Sequence, residues 1–380
     1  MHERPWRLLM SARDVGGASG IAEMAHAIKR DARFESRIVA DEPAASVLAK
    51  KGVSFERVLF GAAKNLQDAQ QMLSGVRDIL EKWPCDAVLA SLSGPNAGLD
   101  EALLRVAPPR PTFALQDYWG DVNIQLESPA NTYFVVDAVA AELTRNRCAT
   151  RAIAVGSVKH SRTGQTDTVR LRARFRNRIC PGGDRPIAIF FGQPLWQVAG
   201  YRETIARFSA ALKRAAPAAI CLYRPHPAED ESAIKTGMGE LNRIQLLRDG
   251  STEEALCGAD LVVSVFSSCG MDQIMLARGA AEPLGVPVYL RFEPEVFRWT
   301  AERTGIDYVP AASAGYALEV TDEADLERTI SEALAPGCKE NLWRKACREI
   351  PEPAAAPLRV LDTIAGALAA NAAKGISVGS

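Results

Sequence analysis

A repeated handover constrains this chain more than any other feature. A short apolar run ends in polar, turn-forming residues and passes into a segment of helical period. The runs are Trp6–Met10, Ser36–Ala40, Asp86–Ser91, Pro111–Leu115, Tyr133–Val136 and Ala152–Val155, then Ile187–Phe191, Ala219–Tyr223, Ile244–Leu247, Asp260–Phe266 and Val286–Leu290. Between them, Leu66–Glu81 places Leu66, Ala69, Met72, Leu73 and Val76 on one helical face, and Ile21–Arg30 does the same with Ile21, Met24, Ala25 and Ile28. Helical patterns also cover Ala138–Arg145, Tyr201–Ala215, Met271–Arg278 and Leu358–Ala370. Repeated alternation of strand and helix predicts α/β architecture, with parallel sheets covered by helices on both faces.

The alternation comes in two series. Between them lies a polar, basic stretch holding Arg162, Arg170, Arg172, Arg174, Arg176 and Arg178. The expected division is a first doubly wound domain over 1–160, a basic linker over 161–185, a second doubly wound domain over 186–335 and a helical extension over 336–380. An arginine run of this kind suits either a solvated helix face or an anionic partner. Basic and acidic residues nearly cancel, 45 against 46, so the whole chain has no electrostatic drive toward nucleic acid. The eight cysteines are scattered singly, without Cys-x-x-Cys or Cys/His spacing, which points to reduced thiols and no metal site. The N-terminus lacks a basic-then-apolar signal, and no apolar run approaches the ~20 residues of a membrane span. The expected place is the cytoplasm, with peripheral membrane contact left open.

In an open parallel sheet, ligands bind outside the carboxyl ends of the strands. Two strand ends here carry chemistry. Ala219–Tyr223 runs into Arg224-Pro225-His226-Pro227, and Asp260–Phe266, which includes Ser264, runs into Ser267-Ser268-Cys269-Gly270. A guanidinium, an imidazole and several hydroxyls suit a phosphate and a sugar. The helix after Gly270 would direct its positive end at the same phosphate. In the first series, Ser11–Gly20 reads as a glycine-rich loop containing Asp14, Gly16 and Gly17; its glycines do not have dinucleotide-binding spacing. Strand Pro111–Leu115 leads into Gln116-Asp117-Tyr118-Trp119-Gly120-Asp121. Asp14, Asp117 and Asp121 are candidates for a general base, and Tyr118 with Trp119 offers an aromatic surface for a sugar. The alternative for each is structural: an Asx turn at Asp14, a loop or cap bond at Asp117 and Asp121, a covered domain edge at the aromatics, a rigid turn at His226.

Two doubly wound domains, a connector and a late helix resemble the GT-B glycosyltransferases and their relatives, the non-hydrolysing nucleotide-sugar 2-epimerases. Ala154–Lys159 looks like the segment that closes the first domain of such proteins, and Glu253–Ser264 looks like their second-domain helix–strand unit. Arg224-Pro225-His226-Pro227 with Ser267-Ser268 resembles the "HP" and "SS" motifs of bacterial CMP-sialic acid and CMP-Kdo transferases, and the similar motifs of CDP-glycerol polymerases. The resemblance implies a cleft between the two domains and metal-independent transfer of a sugar from a nucleotide-sugar donor, of CMP or UDP type, to a glycan, lipid or protein acceptor. It implies donor contacts from Gly192, Arg224, His226, Pro227, Ser264, Ser267, Ser268 and Gly270, with Gly192 letting backbone approach the nucleotide. It leaves Asp14 and Asp117 with His226 as the catalytic candidates, and Gly16, Gly17, Tyr118 and Trp119 as acceptor contacts. The acidic motif of the transferases has no clean match in the first domain, and the epimerase pattern of Glu and His motifs is not recognisable. A 2-epimerase or hydrolase of nucleotide sugars, and a CDP-polyol phosphotransferase, are the alternative activities on this scaffold.

Overall fold

The structure is a computed structural model; it describes residues 4–373 other than 93, 95, 240, 242, 243 and 281, and the side chains of 303 and 304 lie outside the description. The chain divides into two compact units, Met1–Arg162 with Glu349–Ser380, and Thr163–Arg348.

The first unit is built from β1 (Trp6–Ala12), α1 (Val15–Ile28), β2 (Phe34–Ala40), α2 (Ala44–Lys50), β3 (Glu56–Arg57), α3 (Leu66–Lys82), β4 (Ala87–Ala90), α4 (Leu99–Val106), β5 (Thr112–Leu115), β6 (Thr132–Val135), α5 (Ala138–Cys148) and β7 (Arg151–Ala154). Its strands form one parallel sheet in the order β3-β2-β1-β4-β5-β6-β7. The four residues of β4, β5 and β6 are all buried, as strands with helices on both faces must be.

The second unit contains α6 (Thr168–Ile179), β8 (Ile187–Phe191), α7 (Tyr201–Ala215), β9 (Ile220–Arg224), α8 (Glu231–Gly239), β10 (Gln245–Leu246), α9 (Thr252–Gly258), β11 (Leu261–Ser264), α10 (Cys269–Gly279), β12 (Val286–Leu290), α11 (Pro294–Thr304), α12 (Pro310–Ser313), β13 (Leu318–Val320), α13 (Leu326–Leu334) and α14 (Cys338–Glu349). Its parallel sheet runs β10-β9-β8-β11-β12-β13. The chain then returns to the first unit as α15 (Ala356–Ala373), whose Val360, Leu361, Ile364 and Leu368 enter the core with Ile21 and Ala25 of α1. In each sheet the winding direction reverses once, between β1 and β4 and between β8 and β11. Those two switch points are where an open α/β sheet leaves a crevice for ligands.

Several expectations change. The stretch read as a glycine-rich loop is mostly helix: α1 begins at Val15, with the Asp14 side chain accepting from the Val15 N–H as its N-cap. The glycines serve close packing there. A Cβ on Gly16 would overlap the Asp117 carboxylate, and one on Gly17 would overlap the Ser91 side chain. Leu66, expected on the buried face of α3, is 75% exposed because it is the first helical residue, ahead of the turn that packs. The spacing of Ser251 and Glu254 is that of a capping box at the start of a short helix; Ser251 caps α9 through the Glu254 N–H, but Glu254 does not return the bond that a capping box requires. Its carboxylate is taken by Arg174 and Arg178 of α6, while Arg172 and Arg176 hold Asp260. Four arginines of the run over 161–185 are thus ion-paired inside the second unit, where Phe175 beneath them is fully buried, while Arg162 pairs with Glu23 in the first unit. The extension over 336–380 is shared, α14 lying with the second unit up to Arg348 and α15 with the first. None of the eight cysteines is in a disulfide.

Candidate functional site

In the second unit, β8 sits between β9 and β11, so the loops that follow these three strands are neighbours. Arg224 ends β9 in register with Phe191, and its carbonyl accepts from the Gly192 N–H at 2.8 Å. Its guanidinium donates through Nη2 to the Gly250 carbonyl at 2.9 Å. The other terminal nitrogen, Nη1, is buried and has no hydrogen-bond partner among the described residues. Burial lowers the Arg224 pKa from its ordinary value without threatening its charge. His226 follows in the turn. Its Nδ1 accepts from the Ala228 N–H at 3.1 Å, which assigns the proton of the neutral ring to Nε2. The residue is exposed, yet packing around the imidazole lowers its pKa below 6.5 by desolvation, so at pH 7 the ring is a neutral Nε2–H donor. Pro227 is exposed beside it.

After β11, buried Ser264 accepts from the Ser267 N–H at 3.2 Å, and the Ser267 hydroxyl accepts from the Cys269 N–H at 3.2 Å. Ser268 is the N-cap residue of α10, but its exposed hydroxyl makes no cap bond. Arginine, imidazole and serines therefore line the carboxyl edge on both sides of β8. Two glycines of the expected donor set also have an internal packing role. A Cβ on Gly192 would overlap the Tyr223 hydroxyl and the Glu229 carboxylate, and one on Gly270 would overlap the Tyr289 hydroxyl. Close approach is needed at both places, but it is the protein's own side chains that approach.

Sequence reading missed the groups that organise this edge. Gln193 donates through its backbone N–H to the Tyr201 hydroxyl at 2.8 Å, and its side-chain oxygen accepts from the Phe266 N–H at 3.1 Å, tying the β8 loop to the β11 loop. Glu229 accepts from the Tyr223 hydroxyl at 2.5 Å, from the Trp196 indole N–H at 2.6 Å and from the His226 backbone N–H. Burial raises its pKa above the ordinary carboxylate value, against the pull of those bonds. The available signal for Glu229 was its place three residues after His226, the spacing at which a turn side chain reaches back to backbone.

In the first unit, Asp14, Gly16 and Asp117 come together at the N-terminus of α1. Asp121, four residues on, has its pKa pushed up to about 7, by burial first and the charge of Asp117 second, with Arg147 opposing. Tyr118 is half-buried and meets Trp119 edge-on. Trp119 does not supply an open face for a sugar: it is 1% exposed, and its indole N–H donates to Asp137, the N-cap of α5. An apolar ring with a single donor is better placed in the core beside a carboxylate than at the edge. At the switch point, fully buried Asp100 accepts from the Ser11 hydroxyl at 2.5 Å, the Ser91 hydroxyl at 3.0 Å and the Arg13 N–H at 3.2 Å. Neighbouring Glu101 is held by Gly98 and Asn123, and burial with the Asp100 charge raises its pKa. These two carboxylates lie in the first turn of α4, which follows its N-cap residue Gly98.

Among the described residues, no group of three or more His, Cys, Asp or Glu is arranged to hold a metal ion, and no helix is long and apolar enough to cross a membrane.

No protein-family model and no curated protein matches the chain. Solved structures match over nearly its whole length. Staphylococcus aureus MnaA, in a co-structure with UDP, is 14% identical, covers 96% of this chain and 97% of its own, and has a TM-score of 0.67. The UDP-GlcNAc 2-epimerase of Neisseria meningitidis bound to UDP-GlcNAc is 13% identical over 94% and 99%, with a TM-score of 0.63. A glycosyltransferase of Rickettsia africae is 12% identical over 97% and 100%, also at 0.63. At these identities the likeness speaks to architecture. The chain has the GT-B fold: two doubly wound parallel sheets, each with its switch point, closed by a C-terminal helix that returns to the first unit.

Proposed function

We propose that this protein is a nucleotide-sugar enzyme that holds a UDP-type donor at the carboxyl edge of the second unit and transfers its sugar to an acceptor hydroxyl. The observation that carries the reading is Arg224 Nη1, a buried cationic donor left without an acceptor. An unsatisfied buried donor costs about 1–3 kcal/mol, more when charged, and a phosphate oxygen removes that cost. The same strand-end turn carries the Nε2–H of His226, and the loop after β11 carries the hydroxyls of Ser267 and Ser268, donors suited to the charge that gathers on a departing nucleotide. UDP is favoured over CMP because MnaA and the Neisseria epimerase were solved with UDP and UDP-GlcNAc. The acceptor is deprotonated by a carboxylate of the first unit. Asp121, with its pKa at about 7, is better tuned for that task than Asp14, whose carboxylate caps α1.

A second reading, 2-epimerisation or hydrolysis of the donor, is favoured by the number of 2-epimerases among the similar structures. The two part at the product. Incubation with UDP-sugars and separation of the products gives acceptor-dependent UDP release for transfer, a C2 isomer of the same nucleotide sugar for epimerisation, and free sugar with UDP for hydrolysis. Any turnover that survives Arg224→Ala and His226→Ala would remove this site from the chemistry.

A further inference from the structure

We propose that Glu229 is the positioning residue of this site: its carboxylate locks the Arg224–His226 turn to the loop that follows β8. The inference rests on the reading that His226 meets the ligand, and it assigns the element that fixes His226 in place.

The carboxylate gathers donors from three parts of the unit. Tyr223 comes from within β9, Trp196 from the loop after β8, and the His226 backbone N–H from the turn itself. The line continues from Tyr223 to Tyr201, whose hydroxyl accepts from the Gln193 N–H, and Gln193 in turn accepts from Phe266 in the loop that carries Ser267. One network thus connects the backbone beneath the imidazole to the loop that presents the serines. Tyr201 and Tyr223 are fully buried, so few waters can substitute for a missing partner. Gly192 fits the same assignment, since any side chain there would displace both Tyr223 and Glu229. Nothing in a core of apolar contacts requires a carboxylate at this place. Three convergent donors do, and Glu229, whose own N–H donates to the His226 carbonyl, reaches back to take the His226 N–H while holding Tyr223 and Trp196 from outside the turn.

The test is Glu229→Gln beside Trp196→Phe. Glutamine keeps the shape but turns an amide NH2 toward one of the three donors. Phenylalanine removes one donor and leaves the bond to His226. The first readout needs no nucleotide: imidazole NMR titration, tractable because the chain has four histidines. In the wild type, His226 titrates below the ordinary value. A positioning role moves it upward toward about 6.5 in Glu229→Gln, as the turn loosens and the ring gains water, and leaves it in place in Trp196→Phe. The second readout is UDP affinity by calorimetry, expected to fall about tenfold in Glu229→Gln, the loss of one hydrogen bond to a charged group, and less than threefold in Trp196→Phe. An unmoved His226 titration with unchanged UDP affinity in a folded Glu229→Gln overturns the proposal. Equal effects from both substitutions overturn it too, since they would mark a merely structural network. If Glu229→Gln does not fold, a His226 titration that moves in Trp196→Phe overturns it, and one that stays in place supports it. A wild type that binds no UDP, with the His226 titration still moving in Glu229→Gln, supports the lock and removes the nucleotide reading.

Discussion

Arg224 and Asp121 carry the two residue-scale expectations. Replacing Arg224 with Ala takes away the unsatisfied Nη1 donor together with the bond from Nη2 to the Gly250 carbonyl, so UDP affinity falls by about tenfold or more while unfolding stability changes little. Calorimetry and thermal unfolding on one sample separate the two effects. Asp121 works as a base only when ionised, so the rate should climb with pH through about 7, and Asp121→Asn should abolish that limb with a loss of about 10²–10⁴-fold. Its effect on stability has the opposite slope. A carboxyl raised from 3.8 to about 7 makes the folded state bind the extra proton, so its contribution is full below 3.8 and disappears as pH rises through about 7. Arg224, His226, Ser267 and Ser268 were legible because strand ends followed by polar turns are visible in sequence. Glu229, Gln193 and Tyr223 were not, because their roles depend on which strand lies beside which. Gly192 stands out for its small size, but only the packing around it reveals that Tyr223 and Glu229 use the space.

Helix α6 shows how an element's place escapes a linear reading. Its arginines suggested a linker with one helix, and the helix is there, but Phe175 beneath them is fully buried and sits over Gly258 of α9, where a Cβ would overlap the ring. Glu254 and Asp260, the partners of the arginines, lie about 80 residues away in sequence, beyond any periodicity argument. Phe175→Ala should cost about 3–5 kcal/mol, the usual loss for a large buried ring, and lower the urea midpoint of the second unit. Glycine-rich α1 escaped for a related reason. Helix propensity disfavours Gly16, Gly17 and Gly20 by about 1 kcal/mol each, and the approach of Asp117 and Ser91 overrides it.

The order of strands around each switch point is what makes the molecule readable as a whole. Alternation in the sequence was enough to predict two parallel sheets, while the return of α15 to the first unit required knowing where its apolar face lands. Val360, Leu361, Ile364 and Leu368 are at most 4% exposed. Deleting residues 351–380 therefore uncovers the core of the N-terminal unit. At about 1.5–3 kcal/mol for each buried side chain, the loss is comparable to a domain's entire stability, so circular dichroism and proteolysis should report that the first unit no longer folds. The central claim concerns the second unit, and calorimetric titration with UDP, CDP, CMP and GDP tests it most directly, on the wild type and on His226→Ala. The account predicts that UDP binds best and that the substitution weakens it at least tenfold, the worth of one strong hydrogen bond to phosphate. Absence of binding by all four, or binding that His226→Ala leaves intact, would contradict it and make the Arg224–Pro227 turn a structural one.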